Sequence, residues 1–85
     1  MLRVGDMGID GWIELDVPCQ VKQMDAVGRN VVDNFETAIE RVGKVRGVII
    51  GFGFTKGAYE EVARAKNLKN ININLKTVEE ILKET

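Results

Sequence analysis

The sequence predicts an α/β domain in which a mixed β-sheet is flanked by helices, and three observations lead there. Two segments carry apolar residues at helical spacing, the segment 45–54 between them is apolar almost throughout, and "NININL" alternates strictly. Helical and strand periods that take turns along one chain imply strands of one sheet joined by crossovers.

Taken in order, residues 3–11 form a glycine-rich loop, and "WIEL" (12–15) alternates as a short strand. "DVP" turns the chain into a second strand, 18–23, so the first two strands make a hairpin. In "RNVVDNFETAIERVG", Val31, Val32, Phe35, Ala38, Ile39 and Val42 share one helical stripe, with Asn30 as the expected N-cap and Gly43 as the stop. The apolar run 45–54 suits a central strand covered on both faces. Thr55 is placed to cap the next helix, where Ala58, Val62 and Ala65 line one side and Tyr59 and Ala63 widen it. Ile71, Ile73 and Leu75 then share a strand face, opposite Asn72 and Asn74. "TVEE" (77–80) is a capping box from Thr77 to Glu80, opening a short helix expected to bury Ile81 and Leu82. The order is β-β-α-β-α-β-α. With no linker, repeat or low-complexity tract, residues 1–85 read as one domain.

Composition excludes more than it selects. An 85-residue chain removes only about 60–65% of its unfolded surface from water, so self-association that hides more apolar area is expected. No apolar run approaches the roughly 20 residues that cross a bilayer, and "MLRVGDMGID" lacks the apolar centre of a secretory signal. One cysteine, Cys19, forms no internal disulfide, and a cytoplasmic location is expected. The absence of histidine and serine removes serine–histidine hydrolases, cysteine–histidine proteases and zinc sites built on several soft ligands. Carboxylates, lysines, amides and hard cations remain, a menu that suits magnesium.

The net charge of −1 creates no global basic field. Its distribution is uneven: Asp6, Asp10, Glu14 and Asp16 face only Arg3 in residues 1–19, whereas Lys22, Arg29, Arg41, Lys44, Arg46 and Lys56 face four acids in residues 20–56. A metal site beside a phosphate track produces this pattern, and so does a solvated mixture of charges.

The sharpest local pattern is Asp10 followed by Gln20-Val21-Lys22. Gln20 and Lys22 stand two apart, about 7 Å along one face of a strand. With Asp10 at the mouth of the hairpin, acid and amide oxygens are arranged to hold one magnesium ion. Lys22 is then placed to orient or deprotonate an attacking water and to offset charge on a phosphate. Metal-assisted phosphodiester hydrolysis needs those parts. The competing reading is a hairpin whose solvent face carries Asp, Gln and Lys. Asp10 lies between Gly8 and Gly11, where backbone can approach a ligand closely.

Arg29 and Asn30 open a helix soon after Lys22, where outward N–H groups and a cation suit DNA backbone; a plain cap with a surface arginine is the alternative. "GFGFTKG" after an apolar strand invites a dinucleotide-phosphate reading. The following strand ends without the acid that a ribose requires, so Gly51 and Gly53 are expected to serve close sheet packing, with Thr55 and Lys56 available to a phosphate.

"GDMGIDGWIELDVPCQVKQ" resembles the active-site segment of Mrr-like restriction endonucleases, a branch of the PD-(D/E)xK nucleases in which the strand motif is often QxK. The likeness continues through "GRNVVDNFETAIERVGKVRGVIIGFGFTKGAYEEVARAK" to "TVEEIL", nearest to the endonuclease-like domain attached to some archaeal DNA methylases. It implies a DNA-binding endonuclease domain that uses magnesium, with manganese as substitute. Asp10 then corresponds to the metal-binding acid, Gln20 to the variable acid-or-glutamine ligand and Lys22 to the catalytic lysine. Asp6 and Glu14 are unassigned reserve ligands, with a solvent-facing place on an amphipathic strand as the favoured reading of Glu14. The family core opens with a helix and a strand that residues 1–9 cannot supply, so the expectation is a shortened relative lacking both. A second copy, forming a homodimer, or a partner chain then completes the sheet. A non-catalytic DNA-binding or assembly subunit is the alternative.

Overall fold

A computed structural model describes residues 11–13 and 17–84. Four strands form one sheet in the order β1 (Gly11–Ile13), β2 (Val17–Val21), β3 (Arg46–Gly51) and β4 (Asn72–Thr77). Helix α1 (Arg29–Arg41) links β2 to β3, α2 (Lys56–Lys69) links β3 to β4, and α3 (Val78–Glu84) follows. The β1–β2 pair is antiparallel, with Trp12 opposite Pro18, and the other two pairs are parallel. The element order and the mixed sheet therefore match the sequence pattern. Residues 14 and 15 of the expected first strand lie outside the described residues, as does the loop before Gly11.

Both crossovers step in the same direction across the sheet, and right-handed crossovers of that kind set their helices on one face. The core is the layer between α1, α2 and that face: Val27, Val32, Phe35, Ala38 and Ile39 meet Ile49, Ala58, Ala65, Ile71 and Ile73. The opposite face carries Arg46, Val48 and Ile50 beside Asn72, Asn74 and Lys76, and Ile81 of α3 reaches the same shallow hollow of about 600 Å³.

Close approach on the helical side depends on one glycine. A Cβ at Gly47 would lie 2.6 Å from both Ile39 Cδ1 and Phe35 Cε2, so the two largest core side chains of α1 rest on bare strand backbone.

Capping explains where the helices stop. Gly43 has φ +69°, and Gly43 N–H bonds Glu40 O at 3.0 Å while Lys44 N–H bonds Ile39 O at 3.1 Å, a Schellman ending for α1. Asn70 (φ 57°) ends α2 in the same left-handed region. Thr55 Oγ1 accepts from Ala58 N–H at 3.1 Å, the expected cap of α2. The reciprocal bonds of the expected box are both present: Thr77 N–H to Glu80 Oε1 at 2.9 Å and Glu80 N–H to Thr77 Oγ1 at 3.0 Å. They hold the Glu80 carboxyl below its usual range.

Several expectations are corrected. Gly28, not Asn30, caps α1, because Thr55 N–H bonds Val27 O at 3.0 Å and fixes the chain one residue before the cap. The second strand ends at Val21 and the third at Gly51, where the chain leaves the ladder for a loop. Tyr59 and Ala63 are exposed, because α2 meets α1 and the sheet through the narrower side centred on Ala58 and Ala65. Leu82 is also exposed, whereas Ile81, its neighbour in the short α3, lines the hollow on the sheet.

Gly47→Ala is expected to lower stability by about 1–3 kcal/mol through overpacking. Gly57→Ala, whose new Cβ meets nothing nearer than 3.6 Å, is expected to raise it by about 0.4–1 kcal/mol. Urea midpoints of the two variants at equal m-value check the contrast.

Candidate active site

The register of β2 decides which way its residues point. Gln20 pairs with Ile49, a fully buried core residue, so Gln20 occupies the helix-covered face and Val21 the other. Gln20 Oε1 is buried and has no hydrogen-bond partner among the described residues. Without water or a ligand such an oxygen costs about 1–3 kcal/mol, so this position calls for a partner of that kind. Lys22 lies just beyond the strand, and its N–H still bonds Ile50 O at 2.8 Å, so the alternation carries it to the same face as Gln20. Gly11, where β1 begins, pairs with Cys19. Asp10 itself, like Asp6 and Glu14, lies outside the described residues, and so does the Trp12 side chain.

Past the strand ends, the two following loops bind each other. Phe52 N–H bonds Met24 O at 3.1 Å, Val27 N–H bonds Gly53 O at 2.8 Å, and Val27 and Phe54 form a parallel bridge. Gly51 and Gly53 permit this: added Cβ atoms would meet Val27 Cγ2 at 2.7 Å and Asp25 O at 2.6 Å. The loops thus deliver the starts of α1 and α2 side by side, and a Cβ at Gly57 would sit 3.6 Å from Arg29 Cβ. Gly28 provides no side-chain bond to the first turn of α1.

This end of the sheet therefore gathers Lys22, Arg29, Asn30, Thr55 and Lys56, outside the carboxyl ends of the parallel strands, where open α/β sheets bind ligands. Asn30 is exposed in the first turn of α1. Lys56 is almost wholly exposed and 3.9 Å from Glu60. Arg29 is not free: its Nη2 donates to Glu60 Oε1 at 3.2 Å and its Nε lies 3.9 Å from Glu61. Thr55 uses its hydroxyl oxygen as the helix cap.

Residues 2–83 match the family model described as restriction endonuclease, of the Mrr catalytic type. The chain belongs to that family. No curated protein and no solved structure matches it. Family membership implies DNA as the substrate, and among the described residues no helix is long and apolar enough to cross a membrane.

One feature of this endonuclease-family chain was not anticipated. Asp33, Glu36 and Glu61 bring carboxylate oxygens within 4.8 Å of one another between α1 and α2. Glu36 is fully buried and Glu61 only 3% exposed. The sequence held a signal: Glu36 falls on the stripe of Val32, Phe35 and Ile39, and Glu61 on that of Ala58 and Ala65. Carboxylates grouped this closely suit a cation, and the protein supplies its own: Lys69 Nζ lies 3.2 Å from Glu36, and Arg64 Nε 3.5 Å from Glu61. Burial first, and the neighbouring Glu61 carboxyl second, push Glu36 from 4.5 up to about 7, while Glu36 raises Lys69 above its ordinary value.

The native state accordingly keeps a proton on Glu36 that the unfolded chain releases above about pH 4.5. Its raised pKa favours folding below 4.5, and that contribution is lost as pH rises through 7, a loss on the order of 2–3 kcal/mol. Glu36→Gln is expected to flatten that part of the stability profile, which urea unfolding at pH 5 and pH 8 measures directly.

Proposed function

We propose that this chain is a magnesium-dependent endonuclease domain that hydrolyses DNA phosphodiester bonds, with manganese able to replace magnesium. The observation that carries the reading is the buried Gln20 Oε1, which no described residue meets with a hydrogen bond, with Lys22 on the same face. A neutral amide oxygen held away from water is a suitable ligand for a hard cation. Asp10 and Gln20 would hold the metal. When bound, it would supply a Lewis acid for the scissile phosphate and its attacking water.

The other roles belong to the chain. Lys22 Nζ orients the attacking water and offsets the charge that grows on the phosphate. Arg29 and Asn30 at the start of α1, and Thr55 and Lys56 at the start of α2, hold the DNA backbone, where two helix dipoles favour an anion. Arg29 exchanges its contact with Glu60 for a phosphate oxygen. The backbone N–H of Thr55 is already committed to Val27 O, so this residue serves by starting the helix and Lys56 by its charge. A second copy of the chain or a partner strand that completes the sheet belongs to the same reading.

The test is cleavage of supercoiled plasmid with magnesium or manganese. Lys22→Ala is expected to reduce cutting by about 100-fold or more, with an unchanged thermal midpoint. Gln20→Ala is expected to raise the metal concentration needed for half-maximal cutting. Equal cutting by the wild type and Lys22→Ala would overturn the assignment. DNA retention at low salt with no cutting at any metal concentration would leave a non-catalytic DNA-binding or assembly subunit.

A further inference from the structure

Two loops leave the sheet beside the site, and they display apolar side chains rather than hiding them. Phe52 is 56% exposed and Met24 43%, and the bond from Phe52 N–H to Met24 O at 3.1 Å places the two residues in neighbouring segments. Scattered exposed hydrophobic residues are normal on a protein surface. The backbone that carries Phe52 is closely held. Phe52 stands between Gly51 and Gly53, each pressed by the other loop so closely that a Cβ would meet Val27 or Asp25 within 2.7 Å. The backbone bonds on both sides of Phe52, Lys22 N–H to Ile50 O and Val27 N–H to Gly53 O, are each 2.8 Å long.

We infer that Phe52, with Met24 beside it, is a wedge that inserts between stacked bases of the DNA. The inference rests on the DNA reading above and extends it. Lys22 and Lys56 flank the two loops along the chain, and the starts of α1 and α2 follow the loops directly, so a DNA backbone held at those groups runs beside the residues of the two loops. An aromatic ring on a rigid support stacks on any base, and a flexible thioether beside it fills the irregular gap that unstacking opens. Asp25 is the only acid in the loop from Lys22 to Gly28. The source of specificity at such a contact is the ease with which a step unstacks, not its base edges.

The test uses the full chain, a duplex carrying 2-aminopurine and a salt titration followed by fluorescence anisotropy. Wild-type binding is expected to raise 2-aminopurine emission, as the base leaves its stack. Phe52→Ala is expected to bind about 10-fold more weakly, with the emission rise lost and the salt slope unchanged. Phe52→Trp retains both. Lys56→Ala is expected to lower the salt slope by about one and keep the emission rise. Binding by Phe52→Ala with wild-type affinity and wild-type emission would overturn the wedge alone. Absence of wild-type binding even at low salt would overturn the DNA reading and the wedge with it. Conversion of a dimer to a monomer by Phe52→Ala, with emission unaltered, would make Phe52 a protein contact and also overturn the wedge.

Discussion

The approach of α1 to the central strand at Gly47 is the constraint on which the rest of this molecule depends. A strand without a side chain at that point lets Phe35 and Ile39 settle against backbone. Interior packing leaves little freedom once such a contact is made, because displaced atoms forfeit their neighbours. The position of α1 in turn fixes where the chain must leave β2, and Gly51 and Gly53 let the departing loops press together. Gln20 and Lys22 are thereby set beside two helix starts. The candidate site follows from packing several residues away from it.

The layer between the helices carries a second constraint, electrostatic in kind. Two acids with almost no solvent contact sit where apolar residues would fit. Above about pH 7, where Glu36 gives up its proton, removing Lys69 would leave a buried charge uncompensated, which is far costlier than the pair is worth intact. Arg29 ties this layer to the site, since it reaches Glu60 and Glu61 on α2 from the first residue of α1. The guanidinium that is placed for a phosphate is also part of the scaffold that holds the two helices in register.

Much of this was legible in the sequence, for reasons that can be named residue by residue. Periodicity found every helix, and local chemistry found the stops and caps at Gly43, Thr55, Thr77 and Glu80, because those interactions close within a few residues. The shared face of Gln20 and Lys22 needed only the strand repeat. Asn30 failed as a cap because the start of α1 is set by a bond between residues distant in sequence, Thr55 and Val27. Tyr59, Ala63 and Leu82 failed because a helical stripe does not say how much of its width a partner will cover. Glu36 and Glu61 were visible on apolar stripes, but only the docking of α1 on α2 reveals that they meet. The adjacency of the two helix starts is likewise a property of crossover direction and loop pairing, which no local spacing encodes.

The parallel connection of β2, β3 and β4 also shapes how the chain reaches this state. The β1–β2 hairpin and the helices close locally, whereas each parallel pair forms only after an entire helix has been gathered in between. Contacts of that kind are slow to arrive. Until they do, the stretch from Arg46 to Gly51 has neither neighbour, and its only charge is at its first residue. An apolar strand left without neighbours is an aggregation hazard, and in the finished molecule α1 covers one face of this one through Phe35 and Ile39 at Gly47.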